Sequence, residues 1–163
     1  MTPSYSLGAF DPPSLSITSV TANVSNQMVG WNPTPRTVSG RVGHLDTGEG
    51  LNGIVMTFSD GVGVETSGDG QYSRTLYHGW SGSVIPSTIS GGVLAPISLN
   101  FTLTEDRTGQ DFVWRPNRTI SGMVRHEDTL VGVAGVTVAY APGGSVTTDG
   151  EGVYNFVVGH GWS

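Results

Sequence analysis

The feature that most limits what this chain can fold into is its self-similarity at one fixed offset. Arg36-Thr37-Val38-Ser39-Gly40-Arg41-Val42 returns 82 positions later as Arg118-Thr119-Ile120-Ser121-Gly122-Met123-Val124. The same shift carries Gly53-Ile54-Val55-Met56-Thr57-Phe58 onto Gly135-Val136-Thr137-Val138-Ala139-Tyr140. It also carries Thr66-Ser67-Gly68-Asp69-Gly70-Gln71-Tyr72 onto Thr148-Asp149-Gly150-Glu151-Gly152-Val153-Tyr154, and His78-Gly79-Trp80-Ser81 onto His160-Gly161-Trp162-Ser163. A single period of this kind marks one structural unit used more than once.

The N-terminal segment joins the scheme at a shift of 83. Gln27-Met28-Val29-Gly30-Trp31-Asn32-Pro33 aligns with Gln110-Asp111-Phe112-Val113-Trp114-Arg115-Pro116, and Pro3 with Pro86. The expected organisation is therefore residues 1–35 as the C-terminal half of a repeat, 36–117 as a complete repeat and 118–163 as an N-terminal half. Joining Ser163 to Met1 would restore the motif with about two residues missing, so the chain is expected to be two repeats circularly cut at its ends. Segments as short as either half rarely bury enough surface to fold alone, so each is expected to need a partner.

Within 36–117, apolar and polar residues alternate with the two-residue period of half-buried strands. Strands are predicted near 37–43, 53–58, 62–66, 71–77, 82–85, 97–103 and 110–114. The predicted core is Val38, Val42, Val55, Phe58, Tyr72, Leu76, Val84, Ile97, Leu99, Phe101, Phe112 and Trp114. Turn signals such as Ser59-Asp60-Gly61, Gly68-Asp69-Gly70 and Ser90-Gly91-Gly92 separate the strands, and 25 glycines with only 12% charged residues suit many short strands and tight turns. An apolar fraction of 36% argues against disorder. The fold class expected is all-β: tandem antiparallel β-sandwich repeats of Greek-key, transthyretin-like type.

The order Ile/Val-Ser-Gly-x-Val, Gly-Val/Ile-x-Val, Thr-x-Gly-x-Gly-x-Tyr and Gly-Trp-Ser-Gly-x-Val-x-Pro resembles the carboxypeptidase regulatory-like (transthyretin-like, Ig-like) β-sandwich domains found in tandem in bacterial secreted and surface proteins. Val20-Thr21-Ala22-Asn23-Val24-Ser25-Asn26-Gln27 is similar to the terminal strand of such repeats. The resemblance implies a stalk, spacer, adhesive or accessory module. Collagen-adhesin relatives that cross-link Lys to Asn are not matched, since all seven basic residues here are Arg.

A net charge of −6 without a basic patch argues against a nucleic-acid partner. No apolar run reaches the roughly 20 residues of a membrane-spanning helix, so no membrane insertion is expected. Without Cys there is no disulfide, thiolate nucleophile or sulfur-based zinc site, and without Lys no Schiff base. The residues after Met1 carry neither a charged nor an apolar leader region, so any export signal is expected to lie outside this sequence or to have been removed.

His44-Leu45-Asp46 and His126-Glu127-Asp128 recur, as do His78 and His160, yet equivalent residues of successive repeats stand about a domain apart and cannot share one ion. Asp69, Asp149 and Glu151 lie in Gly-rich turns without the regular oxygen spacing of a calcium loop. No catalytic residue, metal ligand or cofactor is therefore expected. The candidate residues are Trp31, Trp80, Trp114 and Trp162, as interface, core-plug or sugar-stacking aromatics, and Asn23, Asn100 and Asn117, which open Asn-x-Ser/Thr glycosylation sequons.

The reading that follows is a non-enzymatic structural subunit or repeat segment of an extracellular filament or surface fibre. Its expected partners are copies of itself joined head to tail, or adjacent repeats of one polypeptide, each junction completing a sandwich by strand addition. The rival readings are a spacer, or a carbohydrate-binding module with glycans as partners.

Overall fold

The computed structural model describes all residues except Ser4 and Ser6. Among the described residues every regular element is a strand. The first seven are β1 (Gly8–Asp11), β2 (Gly30–Pro33), β3 (Pro35–His44), β4 (Val55–Phe58), β5 (Gly63–Glu65), β6 (Gln71–Tyr77) and β7 (Ser81–Pro86). The others are β8 (Gly92–Ala95), β9 (Leu99–Thr102), β10 (Phe112–Pro116), β11 (Arg118–Met123), β12 (Thr137–Tyr140), β13 (Gly144–Thr147) and β14 (Val153–Val158). They divide between two compact units, Met1–Gly43, Glu49–Ser87 and Pro96–Phe112 in one, and His44–Gly48, Thr88–Ala95 and Val113–Ser163 in the other.

In the first unit, β3 and β6 pair antiparallel from Pro35 opposite Tyr77 to Arg41 opposite Gln71. A four-stranded sheet runs β5-β4-β7-β9. Alternation along each strand sends one side inward. Val38 and Val42 of β3, Tyr72 and Leu76 of β6, Met56 and Phe58 of β4 and Val84 of β7 are buried, together with Leu103 and Phe112. Each such side chain contributes about 1.5–3 kcal/mol on leaving water, and together they make the core of an antiparallel sandwich. Phe58 carries the Arg74 guanidinium over its ring at 4.6 Å and the edge of Trp80 at 5.9 Å between centroids.

A buried hydroxyl fixes the turn between these sheets. Thr66 Oγ1 accepts from Ile54 N at 3.0 Å and donates to Leu51 O at 2.6 Å, which satisfies a polar atom in an apolar site. The β5–β6 turn closes through Gly70 at a φ of 76°, where a Cβ would run into the Val42 carbonyl.

In the second unit, β8 pairs with β10, β11 with β14, and β12 with β13, all antiparallel. The same local devices recur 82 positions on. Thr148 Oγ1 accepts from Val136 N at 2.9 Å and donates to Val133 O at 2.8 Å. Gly152, at a φ of 78°, sits against the Val124 carbonyl. Strands β3 and β10 each supply residues to both units, and hydrogen bonds beside them are seen within each. In the first, Arg41 N donates to Asp111 Oδ1 at 2.8 Å; in the second, Leu45 N donates to Trp114 O at 3.0 Å.

Four sequence expectations need correction. Val55 is 39% exposed and Met56 takes the buried place, because Val-Met-Thr-Phe fits the two-residue period in either phase and Phe58 decides it. Ile97 is 80% exposed, since it lies in the bend between β8 and β9, outside both ladders. Strand β8 was not expected: Ser90-Gly91 form the turn read from the sequence, and Gly92 opens a strand directly after it. Val20–Gln27, similar in sequence to a terminal strand, carries none.

Candidate interface: open strand edges and a repeated ion-pair loop

Positions 82 apart differ in what covers them. In the first unit the outer edge of β3 is covered by an extended segment. Ser39 N donates to Arg107 O at 2.7 Å, Arg107 N to Thr37 O at 2.8 Å, and Gln110 N to Ser39 O at 3.1 Å. The Tyr72 hydroxyl donates to the Gln110 carbonyl as well, and burial, with Asp111 adding to it, raises that phenol above the ordinary tyrosine range. Thr119 and Ser121 of β11, counterparts of Thr37 and Ser39, have no such neighbour among the described residues. On the other sheet β4 lies between β5 and β7, whereas among the described residues its counterpart β12 pairs only with β13. Among the described residues, β11 and β12 therefore each have one edge without a paired strand.

Their side chains follow the same pattern. Val38, Val42, Met56, Phe58 and Tyr72 are buried, while Ile120, Val124, Val138, Tyr140 and Tyr154 are only half-buried. Tyr140 stacks on Phe156 at 3.8 Å with ring planes 3° apart, and Trp162, 39% exposed, leans its edge on both. Trp80, the counterpart of Trp162, is instead held between Phe58 and Phe101, the latter 5.7 Å away. The uncovered aromatics of the second set lack the layer that Phe101 and Leu103 provide in the first.

Residues 1–35 hold a strand pair like that of β8 and β10. The pair β1–β2 runs from Gly8 opposite Pro33 to Asp11 opposite Gly30, as β8–β10 runs from Gly92 opposite Pro116 to Ala95 opposite Val113. A side chain on Gly8 would strike the Asn32 carbonyl and the Trp31 indole; one on Gly92 would strike the Arg115 carbonyl and the Trp114 indole. Thr34 N donates to Leu7 O, and Asn117 N to Gly91 O, each at 2.8 Å. Yet Val20, aligned at the shift of 83 with the fully buried Leu103, is 60% exposed, and Ile17 three residues before it is exposed as well.

The third feature is the loop after β3. Arg118 grips Asp46 with both nitrogens, Nη1 to Oδ2 at 2.8 Å and Nη2 to Oδ1 at 2.6 Å. His44 orients this loop: its Nδ1 accepts from Asp46 N at 3.1 Å and its ring stands edge-on to Trp114 at 4.8 Å. The forked contact with Arg118 holds the Asp46 carboxyl below its ordinary value of 3.8 and raises Arg118. Arg74 does the same to Asp60, and Arg41, helped by Gly50 N, to Asp69.

A depressed folded pKa means that the unfolded chain takes up the proton first. The contribution of these pairs is complete above 3.8 and is lost as the pH falls through the depressed folded values. Thermal unfolding followed from pH 6 downward should hold its midpoint, as far as these groups are concerned, until about pH 4 and drop below it, less steeply in high salt. A midpoint already falling by pH 5 would show that other groups govern acid stability.

Among the described residues no three His, Asp or Glu side chains gather as an ion would require. Asp149 Oδ1 is occupied by Glu151 N at 3.0 Å and Val153 N at 2.8 Å. Trp31, 45% exposed, meets Tyr5 edge-on, and Trp114 has its indole Nε1 buried without a hydrogen-bond partner. Asn23, Asn100 and Asn117 are all exposed. His78 and His160 stand at the close of the β6 and β14 segments, His160 exposed. The bidentate pair between residues 72 apart was missed from sequence; its signal was the joint return of His-x-Asp and Arg-Thr.

No family model matches the chain, and no curated protein does. Among solved structures it is similar to a streptococcal ancillary pilin at 13% identity and a TM-score of 0.40, covering 77% of this chain and 51% of that one. The Bacillus anthracis TIE protein matches at 20% identity and 0.46, covering 82% and 28%. A DUF3823 family protein from Bacteroides ovatus matches at 16% and 0.37, covering 58% and 52%. The chain thus spans about half or less of the length of each, and a likeness of this size does not carry function.

Proposed function

We propose that this chain is a structural subunit or repeat segment of an extracellular or surface filament, joined head to tail by completion of β-sandwich domains. One observation carries the reading. Positions that are core in residues 36–117 are half-buried at the same repeat positions in 118–163, while residues 1–35 hold the hairpin and exposed apolar residues that would cover them. The acceptor is the pair of open edges on β11 and β12; the donor is a segment with the chemistry of residues 1–35. It comes from a neighbouring copy or from the adjoining repeat of a longer polypeptide.

Such a contact is heterologous, one face meeting a different face, so it propagates into a fibre rather than closing as a dimer. Backbone groups supply the bonding and the apolar faces of the donor supply the burial. The reading assigns the chain no catalysis, and its repeated side-chain clusters are structural. Tandem use of one sandwich, of the kind seen in carboxypeptidase regulatory-like domains, is part of the same proposal.

Electron microscopy of native material combined with intact mass tests it. The expected result is thin filaments with an axial period, at a mass matching 163 residues if copies are separate and a multiple of the repeat if they are fused. Isolated compact particles with no periodicity would overturn the proposal. A second reading, sugar binding, is favoured by exposed Trp31 and Trp162 beside Tyr5 and the Tyr140–Phe156 stack. It requires indole fluorescence to shift when polysaccharide is added.

A further inference from the structure

The Asp46–Arg118 clasp has two unclosed counterparts elsewhere in the chain. Asp128 lies 82 positions after Asp46, and Arg36 lies 82 before Arg118. The loop that presents Asp128 is already shaped like the one that presents Asp46. Asp128 N donates to His126 Nδ1 at 3.3 Å, as Asp46 N does to His44 Nδ1 at 3.1 Å. Leu130 N donates to His126 O and Gly48 N to His44 O, each at 2.9 Å. Val133 N reaches Val124 O at 2.9 Å, and Leu51 N reaches Val42 O at 2.8 Å.

The basic half is equally formed. Arg36 follows β2 as Arg118 follows β10, three residues past Pro33 and two past Pro116, with Trp31 standing where Trp114 packs against His44. Arg36 Nε is buried and has no hydrogen-bond partner, and neither Arg36 nor Asp128 has an ion-pair partner among the described residues. A guanidinium lacking its acceptor and a preformed carboxylate loop lacking its guanidinium are complementary in charge and in fork geometry.

We propose that Asp128 of one copy and Arg36 of the next close the same bidentate clasp as Asp46 and Arg118, with Trp31 of the incoming copy edge-on to His126. The partner is a second copy of this chain. This rests on the head-to-tail reading and adds to it the pair that sets the order and register of the junction. Strand addition alone tolerates slippage by two residues; a forked ion pair at a fixed place in the loop does not.

The test uses the full chain and two charge reversals, Asp128→Arg and Arg36→Asp, followed by sedimentation velocity over a concentration series. Each single variant places like charges at every junction and should associate about tenfold more weakly than the unaltered chain. An equimolar mixture of the two should recover association, because every junction in an alternating array again joins Arg to Asp. The double variant should recover it alone. Recovery by mixing cannot arise from misfolding, so unfolded singles would fail that arm visibly. If the unaltered chain associates but the single variants do so equally well, or if mixing restores nothing, the clasp is overturned and the head-to-tail reading stands. If the unaltered chain stays monomeric at all concentrations, the association of copies falls, and the clasp with it.

Discussion

Phe58→Ala will cost the first unit about 3–5 kcal/mol, the range for deleting a buried aromatic from a packed core, whereas Tyr140→Ala will cost the unassembled chain much less. The two residues occupy one repeat position on β4 and β12. Phe58 is fully buried between the Trp80 edge and the Arg74 guanidinium, so its removal leaves a cavity that neighbouring strands on both sides prevent from collapsing. Tyr140 is half-buried and rests on one ring, Phe156, with its outer strand edge open. Its loss forfeits a stacked pair of about 0.5–1.5 kcal/mol and part of its buried area.

Urea unfolding of dilute protein, with separate transitions fitted for the two units, measures both costs. A loss on the scale predicted for Phe58 is a large share of the 5–15 kcal/mol that holds an ordinary domain folded. Equal costs at the two positions would mean that residues 118–163 are as well packed as the first unit. That would remove the asymmetry on which the proposed assembly rests.

Some of this architecture could be read directly from residue order. The span 71–77 is the observed β6 because Tyr72, Arg74 and Leu76 alternate cleanly with polar neighbours and Gly70 marks the start. What failed was local and had local causes. In β4 three apolar residues out of four leave the inward phase undecided until cross-strand partners are known. At β8 one glycine of the turn signal, Gly92, opens a strand instead, because Trp114 and the Arg115 carbonyl pack where its side chain would go. Neither fact exists in a local window.

The candidate interface was legible in part. The periodicity located which residues ought to be equivalent, and therefore where a half-formed core would sit. It did not reveal the ion pair, since Asp46 and Arg118 are far apart in sequence and an exposed Asp in a polar loop reads as a solvated turn residue. Trp31, Trp80, Trp114 and Trp162 were identifiable as aromatic contacts, but their neighbours separate them into two kinds. Trp80 lies under a layer supplied by β9, and Trp162 lies without one. That difference is a property of packing, invisible in four similar motifs.

Val20→Asp should abolish head-to-tail association while leaving the unfolding of the first unit unchanged. Val20 aligns with Leu103, which is fully buried, yet Val20 itself is 60% exposed. A carboxylate in this place costs the free chain little, because water still solvates it. In a completed sandwich the same group would occupy the position of Leu103, where an unpaired charge is so unfavourable that it must be neutralised or excluded. The expected loss of association is at least about a hundredfold, from the burial forfeited and the charge desolvated. Thr21→Asp, one residue along, is the control, since Thr21 aligns with the exposed Thr104 and should leave association near that of the unaltered chain. Measured by sedimentation velocity, a pair of variants with indistinguishable association constants would show that residues 1–35 do not enter a neighbour's core. A collapse confined to Val20→Asp would place this side chain inside the completed sandwich, because only a buried face distinguishes two adjacent residues so sharply.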